Sequence, residues 1–169
     1  MNANDLNVLF DYNYWANRRL FNVIVQLTPE EFTRSVAGSY GSIRNTMVHA
    51  LSAEAGWLDR CGGVKRGPRL NPADFPTVDS VVRAWSRVEV HVREFLRTLR
   101  DDDLARQCEY SFDPPTMHTG RLGDLMQHAA THAVHHRGQV ALLLRLLGHA
   151  PGNFDRLYYD EEHRGGPAS

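Results

Sequence analysis

The stretch RLGDLMQHAATHAVHHRGQVALLLRLL, residues 121–147, decides how this chain folds. Leu122, Leu125, Met126, Ala129, His132, Ala133, His136, Val140, Leu143, Leu144 and Leu147 recur at three- and four-residue steps. That period predicts one long helix with a single inward face. Gly148 and Pro151 stop it, and Thr119 is placed to cap its start. Within it, HAVHHRGQ (132–139) puts His132 and His136 one turn apart on the apolar side. Their axial separation of about 6 Å lets two imidazoles reach one ion at about 2 Å from each nitrogen. The bland alternative is that each ring donates to a carbonyl or side chain across the core. Two neighbouring buried imidazoles left without partners would cost roughly 2–7 kcal/mol each.

Working outward, three further long helices are expected. The first spans about Asp5 to Leu27, with Leu6, Phe10, Asn13, Leu20 and Ile24 on one stripe. The second runs from near Ser42 to Cys61 and stops at Gly62-Gly63. The third is capped by Thr77 and reaches about Arg100. Thr28-Pro29-Glu30-Glu31 predicts an extra helical turn, and residues 62–76, with three prolines and three glycines, a loop. Asp101-Asp102-Asp103 reads as a solvated connection rather than a metal cage. Between Arg106 and Gly120, around Pro114-Pro115, a small hairpin is expected. The result is an all-α, four-helix bundle with long connections, a single domain over 1–169 with residues 152–169 a partly ordered tail.

Two ligands on one helix do not complete a metal site, so the third must come from elsewhere. His49, in the middle of the second helix, shares a face with Ala53 and Gly56, small residues that would admit a neighbouring helix. His128 is its rival, but rings at 128, 132 and 136 span about 12 Å along one helix, too far for one coordination sphere. His135 points away from the pair, behind it or to the surface. Three imidazoles with an open fourth position are the ligand set of a catalytic rather than a structural site. Such an ion lowers the pKa of a bound water or thiol, or polarises a carbonyl. Gly138, mid-helix at about 1 kcal/mol against alanine, suggests close packing or access to the site. Arg137 and Gln139 are candidates for orienting an anionic substrate, or ordinary surface residues. Glu54 is a candidate base or hydrogen-bond partner of a ligand histidine, or half of a surface ion pair.

Composition removes several function classes. The net charge is -1, with no basic block of the kind nucleic-acid binding requires. No apolar run approaches the roughly 20 residues of a membrane span, and the opening MNANDLN lacks a signal-peptide pattern, so a cytoplasmic location is expected. Cys61 and Cys108 are expected as free thiols. No GxSxG, glycine-rich phosphate loop or HExxH occurs. What departs from average is nine histidines, five of them between His118 and His136.

Taken together, YNYWANRRL (12–20), His49 with Glu54 and Trp57 in an H-x4-E-x2-W spacing, HAVHHRGQ, and Asp155 and Tyr158 in the tail resemble the DinB-like (YfiT-like) metalloenzyme family. This family is unrelated to the DNA polymerase sharing its name. The resemblance covers nearly the whole chain. It implies a four-helix bundle, often a homodimer, with His49, His132 and His136 binding one divalent ion: nickel, zinc or iron. It also implies transfer or isomerisation of a small-molecule substrate with a low-molecular-weight thiol such as bacillithiol or mycothiol. The alternative is a non-catalytic metal- or ligand-binding dimer in a stress response.

Overall fold

A computed structural model describes residues 1–37, 39–112 and 115–163. Four long helices form the bundle: α1 (Ala3–Ile24), α3 (Ile43–Cys61), α4 (Val78–Thr98) and α5 (Leu122–Leu146). Two short helices, α2 (Pro29–Thr33) and α6 (Arg156–His163), and a two-stranded hairpin, β1 (Gln107–Tyr110) with β2 (His118–Arg121), complete it. The first four helices start where side chains satisfy orphan amides. Asn2 and Thr28 cap α1 and α2 in reciprocal boxes with Asp5 and Glu31, and Ser42 accepts from the Asn45 amide.

The long helices pack in a ring: α3 lies against α5 and α4, and α1 against the same two. One continuous core fills the space between them, with Phe10, Tyr14, Met47, Leu51, Met126 and Leu144 fully enclosed. Burying each aliphatic or aromatic side chain of this size contributes about 1.5–3 kcal/mol. None of the helices among the described residues is long and apolar enough to cross a membrane.

The expectations for Thr119 and Gly138 are corrected, and the tail gains a helix. Thr119 does not cap α5, because it is a paired residue of β2, opposite Glu109. The hairpin runs straight into the helix instead, and the Leu122 amide donates to the Arg106 carbonyl at 2.8 Å. The segment expected as a partly ordered tail from 152 is helical from Arg156 to His163, docked on α1. Tyr159 packs edge-on against Tyr12 and Trp15, and the Trp15 indole donates to Glu162 at 2.8 Å. Residues 164–169 lie outside the described residues, as does Pro114 of the hairpin connection. Gly138, finally, is not packed closely, since a Cβ built on it would meet nothing within 4 Å.

Asp101–Ala105 is a short 3-10 turn whose acids serve the backbone. Asp101 accepts from the Ala3 amide and Asp103 from the Arg100 amide, each at 2.8 Å. Cys61 and Cys108 are free and buried, and burial pushes the Cys61 thiol up to about 12.

Candidate metal centre

The close pairing of α3 with α5 brings His49 to His132 and His136. The ring centroids are 4.3 Å apart for His132 and His136, 4.7 Å for His49 and His136, and 5.6 Å for His49 and His132. One ligand atom from each ring falls within 4.8 Å of the others, a cluster that can hold a metal ion.

The fit is supported by the details. His132 Nε2 and His136 Nε2 face each other at 3.1 Å. An ion about 2.05 Å from each would see them at an angle of about 95–100°, between octahedral and tetrahedral values. Gln139 fixes the tautomer of His136: its amide oxygen lies 2.7 Å from Nδ1, so Nδ1 donates and Nε2 keeps its lone pair. Burial, then the neighbouring His136 ring and the Arg69 and Arg66 cations, holds His49 down at about 4. Burial and the surrounding imidazoles do the same for His132, also at about 4, and burial lowers His136. Neutral rings are what metal ligation requires.

His128 stays outside the cluster. It packs edge-on against Trp57, with ring centroids 5.0 Å apart. Other histidines are engaged elsewhere. His149 bonds Glu31 at 3.0 Å, His118 stacks on Tyr110, and His163 bonds the Tyr159 carbonyl.

The roles expected for the three flanking candidates change. Arg137 does not face a ligand: it is 4% exposed and points at α1, where it donates to the side chains of Asn13 and Asn17. One residue along a helix is a rotation of about 100°, enough to turn 137 into the bundle while 136 faces α3. Glu54 is likewise interior, at 3% exposed. It accepts from Tyr14 Oη at 2.8 Å and from the Asn13 amide at 3.3 Å, with no hydrogen bond to a histidine among the described residues. Burial raises its pKa against the pull of those bonds and of Arg137. Its hydrogen bonds tie it to α1. Gln139 makes three side-chain bonds, to His136, His135 and Ser39. Replacing Gln139 by alanine should weaken metal binding by about 10–100-fold through a loosened His136 ring. Competition with a chromophoric chelator measures this, and unchanged affinity would show that the bond is incidental.

Two features have no helical signature and were not anticipated. Tyr40, on the connection before α3, stacks on His49 at 3.9 Å between centroids, and its hydroxyl lies 2.9 Å from Nε2. Ser39, in the left-handed region at φ 49, bonds Gln139 and so ties this connection to α5. A cavity of about 480 Å³ opens beside His49 and His132, walled by Tyr40, Trp57 and Phe112 and by arginines from the loop after α3. The element lying over Gly56 is Arg66 of that loop, not the neighbouring helix expected there.

A four-helix bundle with three imidazoles from two facing helices gathered beside an open cavity defines the class of protein. Residues 1–166 match the DinB family, and the chain belongs to it. Protein DinB of Bacillus subtilis (strain 168) is 22% identical over 152 residues, covering 87% of this chain and 88% of that protein. The protein YizA of the same organism is 24% identical over 142 residues, covering 84% and 87%. The crystal structure of a DinB-like protein from Bacillus cereus ATCC 10987 superposes with a TM-score of 0.73 at 18% identity. It covers 90% of this chain and 97% of that one, a likeness of fold.

Proposed function

We propose that this protein is a divalent-metal-dependent enzyme of the thiol S-transferase or isomerase type, acting on a small electrophile. The observation that carries the reading is a cluster of three buried or half-buried imidazoles, two of which, His49 and His132, line a cavity of small-molecule size. His49, His132 and His136 would hold the ion. When bound, it would supply Lewis acidity, lowering the pKa of a thiol or polarising a carbonyl. The chain's own residues do the rest. Gln139 fixes the His136 ring, and Tyr40 covers His49 and offers a hydroxyl beside it. Trp57 and Phe112 supply apolar walls that restrict water around the reacting groups.

A second reading, a metal- or ligand-binding protein without turnover, is favoured by one observation. With Glu54 turned into the bundle, no carboxylate among the described residues lines the cavity to act as a general base. Kinetics separate the two. Metal-loaded protein, mixed with bacillithiol, mycothiol or other low-molecular-weight thiols and a chloronitroarene, should accelerate conjugation by up to about 30-fold per bound thiol. That is the gain when a thiol of pKa about 8.5, a few per cent ionised at pH 7, becomes fully ionised. Stoichiometric thiol binding with no acceleration over free thiol would select the second reading.

A further inference from the structure

The cavity beside the histidines is lined by three guanidinium groups, Arg60, Arg66 and Arg69, and, among the described residues, by no carboxylate. In a chain with 19 basic and 20 acidic residues this is a local segregation of charge. Several arginines elsewhere are paired, Arg93 with Asp11 and Glu89, Arg121 with Asp124 and Arg156 with Asp160, while others among the described residues, such as Arg44 and Arg87, stand singly rather than gathered on one cavity. Among the described residues, none of the three cavity arginines has an acid within ion-pair distance. Asp59 attracts Arg60 and Arg66 from further off, but its carboxylate accepts the Gly67 amide at 3.1 Å.

The chain also holds these groups in place. Arg60 lies over the Trp57 ring at 4.8 Å and donates to the carbonyls of Gly56 and Ser111. Arg66 crosses α3 at Gly56, where a Cβ would come within 2.6 Å of its Nε, so glycine leaves the space the guanidinium uses. Burial first, and then a neighbouring guanidinium, lowers the basicity of Arg60 and of Arg66. Three like charges gathered without a counter-ion are unfavourable, and an anion among them relieves that cost. Guanidinium forks match planar carboxylates and phosphates bidentately.

We propose that Arg60, Arg66 and Arg69 form an oxyanion subsite for the carboxylate or phosphate group of a small molecule whose other end faces the three histidines. The subsite depends on the function proposed above only for what happens at that other end. It gives the recognition of an anion to the last turn of α3 and the loop after it, and not to α5. A cavity of about 480 Å³ suits a small molecule rather than a polymer.

The test is calorimetric titration of the metal-free protein with succinate, inorganic phosphate and succinamide, a neutral isostere of the first. An oxyanion should bind where succinamide does not, and the tighter of succinate and phosphate identifies the source of the charge. The Arg66→Gln/Arg69→Gln double variant should raise Kd at least about tenfold, with Arg66→Gln keeping the aliphatic stem over Gly56. Arg69 is exposed, so Arg69→Gln alone carries the test, at about threefold, if the double variant loses its helical signal. No preference for anions over succinamide, or an unchanged Kd in folded variants, would overturn the subsite. Metal uptake by the same preparations is measured separately. Failure there with intact anion binding would sink the proposed function and leave the subsite standing.

Discussion

His132→Ala and His49→Ala variants, purified without a histidine tag, are expected to retain almost no bound metal, while His128→Ala retains the wild-type content. His132 and His49 belong to the one three-histidine cluster found among the described residues, and His128, although it borders the same cavity, does not. Complete sites of this kind bind zinc with about 10–16 kcal/mol shared among their ligands, so one imidazole is worth about 3 kcal/mol or more. The corresponding loss in affinity is at least two orders of magnitude. His49→Ala is the sharper of the two tests, because it removes the α3 contribution and leaves the pair on α5 intact. Elemental analysis decides the matter. Equal metal in wild type and all three variants would mean that the ion, if there is one, sits elsewhere.

Arg137→Met should destabilise the protein by about 3–5 kcal/mol while leaving metal stoichiometry unchanged. The substitution keeps most of the side-chain volume but withdraws a buried cation from a polar network running across the bundle: Tyr14 to Glu54, Glu54 to Asn13, Asn13 to Arg137, and Arg137 to Asn17. Removing one partner of a buried charged network leaves the others desolvated and unpaired, and that is the source of the large figure. Glu54 would lose the Arg137 charge that opposes the effect of burial on its carboxyl. In a chain of 169 residues the expected fall in Tm is about 6–20 °C. Urea unfolding measures the change directly. A variant of normal stability but weakened ligand binding would restore Arg137 to the substrate-facing role its place in the sequence suggests.

How far the sequence could be read depended on whether a residue's surroundings repeat. The four long helices were legible because apolar residues return every three or four positions, and the meeting of His132 with His136 followed from a spacing of four. His49 could be brought to them by needing a second helix, since α3 offers one histidine. Arg137 was misread because its neighbour at 136 faces α3 while it faces α1, and which helix lies on which side is a property of the assembled ring. Glu54 failed for the same reason: its partners are on α1, across the bundle. The arginines after α3 and Tyr40 before it lie on connections, where no period exists to say which way a side chain turns. The signal that could have found the arginines was chemical: VKRGPR, residues 64–69, brings three cations and no acid into a loop directly after the histidine helix.

The histidines stand on two helices locked into the common core, whereas Tyr40, Phe112 and Arg66 reach the same cavity from three separate connections. On the proposed function, reactivity would rest on the helices and much of the selectivity on the connections. Substitutions or insertions in the connections can reshape what the cavity admits at little expense to the folded frame, while substitutions on the helices put both frame and chemistry at stake. A lineage built on this plan can change its substrates by editing three surface segments and leave the histidines untouched.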